Sequence, residues 1–116
     1  MSDIKRIGTW ERMSRAVVHG DTVYLAGQTG DAEAGFEKQV HQTLGKVADG
    51  LAEVGSDKTR MLQAIVWLDD MRNFDAFNAI WDAWVPEGHA PARACGEVRM
   101  ARAGIAVEVT VIAAAG

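Results

Sequence analysis

With a single cysteine, Cys95, the chain cannot close a disulfide within itself, and a reducing compartment is the simplest setting for such a protein. A basic surplus is missing too: 12 Lys and Arg stand against 16 Asp and Glu, for a net charge of −4. Binding to phosphate backbones draws on clustered cations. Here they are scattered, and a pair such as Arg99 and Arg102 is no denser than a solvated loop, so no nucleic-acid partner is expected. Long apolar runs are absent as well. The opening residues Met1-Ser2-Asp3-Ile4-Lys5 lack the apolar core of a secretory signal, and no stretch reaches the roughly 20 residues that span a bilayer. A membrane partner is therefore not expected, and the cytoplasm is the expected location. His19, His41, His89 and Cys95 have no zinc-motif spacing. No repeat or linker interrupts the 116 residues, a length that suits one domain over residues 1–116.

What is present is ordinary globular material, 48% hydrophobic and 24% charged. Residues 13–19 are rich in apolar and branched side chains, and residues 22–26 (Thr-Val-Tyr-Leu-Ala) read as a strand. Gly20-Asp21 between them supplies a turn, which predicts a β-hairpin. From Phe36 the period changes: Phe36, Val40, Leu44, Val47, Leu51 and Val54 recur at helical spacing, and Gly55 follows as a C-cap. Gly45 and Gly50 weaken this helix by about 1 kcal/mol each relative to Ala; close packing on the sheet and simple tolerance both account for them.

Residues 62–68 alternate, with Leu62, Ala64, Val66 and Leu68 on one face and Gln63, Ile65 and Trp67 on the other. Both faces are largely apolar, so this strand is expected to be covered on both sides. Asn73 reads as the N-cap of a second helix with an inward stripe of Phe74, Phe77, Ile80, Trp81 and Trp84, ended by Pro86. Two further strands are expected near residues 92–99 and 105–113. The order β-β-α-β-α-β-β predicts an α+β fold with both helices gathered on one face of a mixed sheet.

Chemistry concentrates in Pro91-Ala92-Arg93-Ala94-Cys95-Gly96-Glu97-Val98. Strand alternation puts Arg93, Cys95 and Glu97 on one face and the small residues Ala92, Ala94, Gly96 and Val98 on the other, and the small set suits packing under helices. A solvent-facing edge with an incidental thiol is the plainer reading of the first row. In the last strand Glu108 is a lone acid among apolar residues. Buried, it needs a partner or a raised pKa. If the two strands pair, it could face the Arg93 row, either as an ion pair holding the fold or as a carboxylate poised for proton transfer. No histidine stands in an obvious position to activate Cys95 as a nucleophile.

Four segments carry a resemblance. Val23-Tyr24-Leu25-Ala26-Gly27-Gln28 is similar to a strand ending in Ser-Gly-Gln in the YjgF/RidA family of reactive-intermediate deaminases. The Pro91–Val98 segment resembles that family's Pro-Ala-Arg-Ser-Cys-Val-Glu-Val, and Val107-Glu108-Val109-Thr110-Val111-Ile112-Ala113 its closing Ile-Glu-Ile-Glu-Ala-Ile-Ala. Phe74-Asp75-Ala76-Phe77-Asn78 resembles its second helix. The match runs in order from about Ser14 almost to the C-terminus. It implies a chorismate-mutase-like fold, a homotrimer with clefts between subunits, and hydrolysis of imines and enamines derived from amino acids to 2-keto acids and ammonia, without metal or organic cofactor. By position, Arg93 would hold the substrate carboxylate, Gly27 and Cys95 would position water through their backbones, Glu108 would assist proton transfer, and Asn78 would line the cleft. Met13 and Ala26 stand where the family has a tyrosine and a serine at the substrate, and the loop after Gln28 is short. A carboxylate-binding or chaperone-like trimer is the alternative function, and a ribonuclease or translation inhibitor a more distant one.

Overall fold

Gly20 takes a left-handed φ of +60°, and this lets the chain reverse in two residues, so that His19 faces Thr22 across an antiparallel hairpin of β2 (Ala16–His19) and β3 (Thr22–Leu25). The computed structural model describes residues 3–116. Ahead of the hairpin lies β1 (Ile4–Ile7), antiparallel to β2. After it come β4 (Gln28–Thr29), α1 (Phe36–Glu53), β5 (Met61–Leu68), α2 (Phe74–Trp84), β6 (Ala92–Glu97) and β7 (Val107–Ala114). The strands form one sheet in the order β1-β2-β3-β7-β5-β6, with the short β4 also on β7. Among the described strands only β5 and β6 run parallel, joined by the crossover through α2. The fold is the α+β arrangement expected, with two strands, β1 and β4, beyond it.

Both helices pack on the face formed by Val23, Leu25, Ala64, Val66, Leu68, Val107, Val109 and Val111. The α1 stripe is buried at Val40, Leu44, Val47 and Leu51, and that of α2 at Phe77 and Trp81. Each fully buried Val, Leu or Phe contributes about 1.5–3 kcal/mol of apolar transfer energy. Gly55, at φ +78°, ends α1 as expected. A Cβ at Gly45 would meet open space, and one at Gly50 would touch Leu25 at an ordinary 3.5 Å, so packing requires neither glycine and tolerance explains both. The entry to α2 departs from expectation. Asn73 makes no side-chain cap bond. Asp70 caps the preceding 3₁₀ turn instead, accepting from the Arg72 backbone N–H, and its hydrogen bonds from Arg72, side chain first, hold its carboxyl below the usual range. Among the described residues no helix is long and apolar enough to cross a membrane.

The described residues leave the second face of β5 largely open. A bulge between Met61 and Gln63 takes Leu62 out of the row of Ala64, Val66 and Leu68, where alternation alone had put it. Leu62 stands 51% exposed, with Tyr24 at 45% and Trp67 at 36%.

Candidate functional site

Arg93 enters from β6, the edge strand, and its side chain turns toward α2. Its Nη2 donates to Asn78 Oδ1 at 2.8 Å, and its guanidinium carbon lies 5.4 Å from the Trp81 ring centre, 5.8 Å from that of Phe77 and 6.0 Å from that of Phe74. A cation over such rings gains about 0.5–2 kcal/mol. Three aromatic faces and one amide thus hold the fork in place while most of its five N–H groups stay uncommitted. Among the described residues the ion pairs are Arg15–Glu53 and Arg72–Asp70, so no carboxylate neutralises Arg93.

This orientation corrects the expected faces of β6. Arg93, Cys95 and Glu97 do share a face, but it is the helix-facing one: Cys95 packs against the core, and Glu97 Oε1 accepts from the Met71 N–H at the entry to α2. The small residues Ala92 and Ala94 are exposed, and Gly96 lies under the Trp67 ring, whose Cζ3 would be 3.2 Å from a Cβ there. Burial pushes the Cys95 thiol up, with Arg93 pulling weakly the other way. It is therefore a protonated thiol near neutral pH, unsuited to nucleophilic attack. Its backbone is better placed. The Val98 N–H donates to Leu68 O, so by alternation the backbone groups of Ala94 and Gly96 turn toward β5 and those of Arg93 and Cys95 toward the open edge.

Glu108 does not meet Arg93. Strand β5 lies between β6 and β7, with Trp67 paired to both Gly96 and Glu108. Glu108 points to the open face while Arg93 points to the helices. The ion-pair reading is thereby overturned: strand order and parity, neither visible in the local pattern, separate the two. Glu108 instead meets Gly27. A side chain at position 27 would collide with Glu108 Oε2 and stand 3.2 Å from Thr110 Oγ1, so the carboxylate occupies the space that glycine leaves. Gly27 falls between β3 and β4, both paired with β7. Ala26 has its backbone engaged, its N–H donating to Arg15 O and its carbonyl accepting from Gln28 Nε2. Met13 is exposed in the loop between β1 and β2, its carbonyl accepting from the Trp10 N–H. Within the chain the expected residues thus form two separate clusters, Arg93–Asn78–Cys95 at the β6 edge and Gly27–Glu108 on the open face.

Two features escaped the sequence. The loop from β6 to β7 lines a cavity of about 590 Å³ with Asp69, and a smaller one of about 130 Å³ where Thr29, Met100, Ala101, Arg102, Ile105 and Glu108 converge. Gln39, 2% exposed, fastens that loop: its Nε2 donates to Ala34 O and Gly104 O, and its Oε1 accepts from the Ala106 N–H. A polar residue beside Val40 on the buried stripe was the available signal, since a buried amide needs partners. Among the described residues no three His, Cys, Asp or Glu side chains gather to hold a metal ion.

The family model described as Endoribonuclease L-PSP matches residues 3–115. The RutC family protein YoaB of Escherichia coli (strain K12) is 35% identical over 111 residues, 96% of this chain and 97% of that protein. The 2-iminobutanoate/2-iminopropanoate deaminase of Capra hircus is 31% identical over 110 residues, 89% of this chain and 80% of that protein. The crystal structure of NMB1025 from Neisseria meningitidis, described as a member of the YjgF protein family, superposes with a TM-score of 0.92 at 39% identity, covering 98% of this chain and 96% of that one. The chain therefore belongs to the YjgF/RidA family, the one whose family model carries the description Endoribonuclease L-PSP.

Proposed function

We propose that the protein hydrolyses imines and enamines derived from amino acids to 2-keto acids and ammonia, in clefts between the subunits of a homotrimer. The observation that carries this reading is the Arg93 guanidinium, held by Asn78 and three aromatic rings and matched to no carboxylate among the described residues. A planar fork so held suits a substrate carboxylate, gripped by two parallel hydrogen bonds. With the carboxylate fixed, water positioned by backbone groups at Gly27 and Cys95 adds to the protonated imine carbon. Glu108 takes a proton from that water and returns one to the nitrogen. The new hydroxyl then gives its proton to Glu108 as the carbon–oxygen double bond forms and the carbon–nitrogen bond breaks, giving the keto acid and ammonia.

A second copy of the chain is what this mechanism requires, because the two clusters of one protomer lie on opposite faces of the sheet. The uncovered Tyr24, Leu62 and Trp67 supply an apolar face for such packing. The name of the Capra hircus relative supports the chemistry. The ribonuclease reading draws little support from a chain of net charge −4.

The test generates imines in place with an amino-acid oxidase and traps them with semicarbazide. A deaminase lowers semicarbazone formation in proportion to its concentration. A protein that only binds carboxylates leaves the rate unchanged once it is substoichiometric, and that result would refute the proposal.

A further inference from the structure

We propose that Arg102 is a second carboxylate anchor and that the preferred substrates are imines derived from dicarboxylic amino acids. The inference rests on the deaminase reading above and names the substrate class of that same site. The small cavity of about 130 Å³ is lined by the apolar residues Met100, Ala101 and Ile105 together with the exposed Arg102 and the half-buried Glu108 and Thr29. Arg102 has no ion-pair partner among the described residues, Glu108 included. At roughly 30 Å³ per water in the liquid, the volume holds about four water-sized groups, the size of a short arm ending in a carboxylate.

The charge pattern favours that occupant. Beside Glu108 alone, a carboxylate on the substrate's side chain would be repelled, whereas a protonated imine nitrogen would be drawn in. Arg102 in the same cavity reverses the first effect and leaves the second. A neutral side chain needs no cation there.

The position of Arg102 is also set. Its carbonyl accepts from the Ile105 N–H, and Ile105 is buried. Gly104 turns at φ +89° with no room for a Cβ against Ala32 O. Gln39 holds both Gly104 and Ala106. A guanidinium on a fastened loop loses less freedom on binding than one on a mobile loop.

The experiment compares kcat/KM for 2-iminoglutarate, released by a glutamate oxidase, with that for the neutral imine of norvaline, in wild type, Arg102→Ala and Arg102→Lys. The expected wild type prefers the dicarboxylate. Arg102→Ala is expected to lower the dicarboxylate-to-neutral ratio at least tenfold, mainly through KM, with Arg102→Lys recovering part of it. A ratio unchanged in Arg102→Ala overturns the inference, whether both rates hold or both fall together; a joint fall would make Arg102 the anchor of the carboxylate that all these imines share. If wild type hydrolyses the norvaline imine and not 2-iminoglutarate, this inference alone fails. If it hydrolyses neither, the deaminase reading fails and takes the inference with it.

Discussion

Gly27→Ala separates the geometry of the site from the stability of the fold. A methyl group there would overlap Glu108 Oε2 and crowd Thr110 Oγ1 at 3.2 Å. Gly27 does not need a left-handed backbone, so the methyl adds no backbone strain. What must yield is the far end of a flexible side chain, and forcing one torsion off its well costs about 0.5–1.5 kcal/mol. For a domain near this size that lowers Tm by about 4–8 °C per kcal/mol. The displaced group is the proposed proton carrier. General acid–base catalysis contributes about 10²–10⁴-fold, and a misplacement near 1 Å can cost about 10²-fold. Gly27→Ala should therefore lower kcat for imine hydrolysis by tens to a hundredfold while the protein still melts cooperatively only a few degrees lower. Glu108→Gln should match it in rate with an unchanged Tm. The assay is imine decay in the oxidase-coupled reaction, with melting curves on the same preparations. A Gly27→Ala variant at wild-type rate, or one that unfolds at room temperature, would refute this account of the Gly27–Glu108 contact.

Gln39→Leu should destabilise the protein by about 2–4 kcal/mol, because three backbone groups lose a buried partner and each orphan costs about 1–3 kcal/mol before relaxation; denaturant unfolding checks this, and a change under 0.5 kcal/mol would contradict it. The proposed homotrimer predicts a trimer mass by light scattering at micromolar concentration, and Leu62→Asp on the uncovered face of β5 should shift it toward the monomer. A wild-type monomer would count against the cleft between subunits.

Periodicity made much of the fold legible. The apolar residues buried in the helices are those of the α1 stripe from Val40 to Leu51 and the α2 pair Phe77 and Trp81, with the polar Gln39 and Thr43 buried beside the first, and Gly20 and Gly55 mark the hairpin and the helix end. The strands were harder wherever alternation left the choice of face open. In β6 the small set looks like core material, yet Cys95 packs on the core side and Arg93 turns its guanidinium toward the α2 rings, and Gly96 lies under the Trp67 ring. At Leu62 a bulge broke the parity on which the reading rested. β1 was missed because Ile4-Lys5-Arg6-Ile7 is a mostly exposed edge strand without an apolar face, and β4 because two residues carry no pattern. Glu108 was recognised as unusual from its apolar neighbours. Its neighbour Gly27 and its distance from Arg93 depend on strand order, which one sequence does not display.

Whether Arg93 binds the carboxylate of an imine being hydrolysed is decided by a double cycle on residue and substrate. Charge-assisted hydrogen bonds contribute about 1.5–3 kcal/mol each, so losing the pair in Arg93→Ala, about 3–6 kcal/mol, should lower kcat/KM by about 10²–10⁴-fold at 1.36 kcal/mol per factor of ten. Arg93→Lys should recover little, since a point charge lacks the planar fork. An imine without the carboxylate should cost wild type a similar factor and cost Arg93→Ala almost nothing more. Wild-type rates in Arg93→Ala, or full additivity of the two losses, would contradict the account.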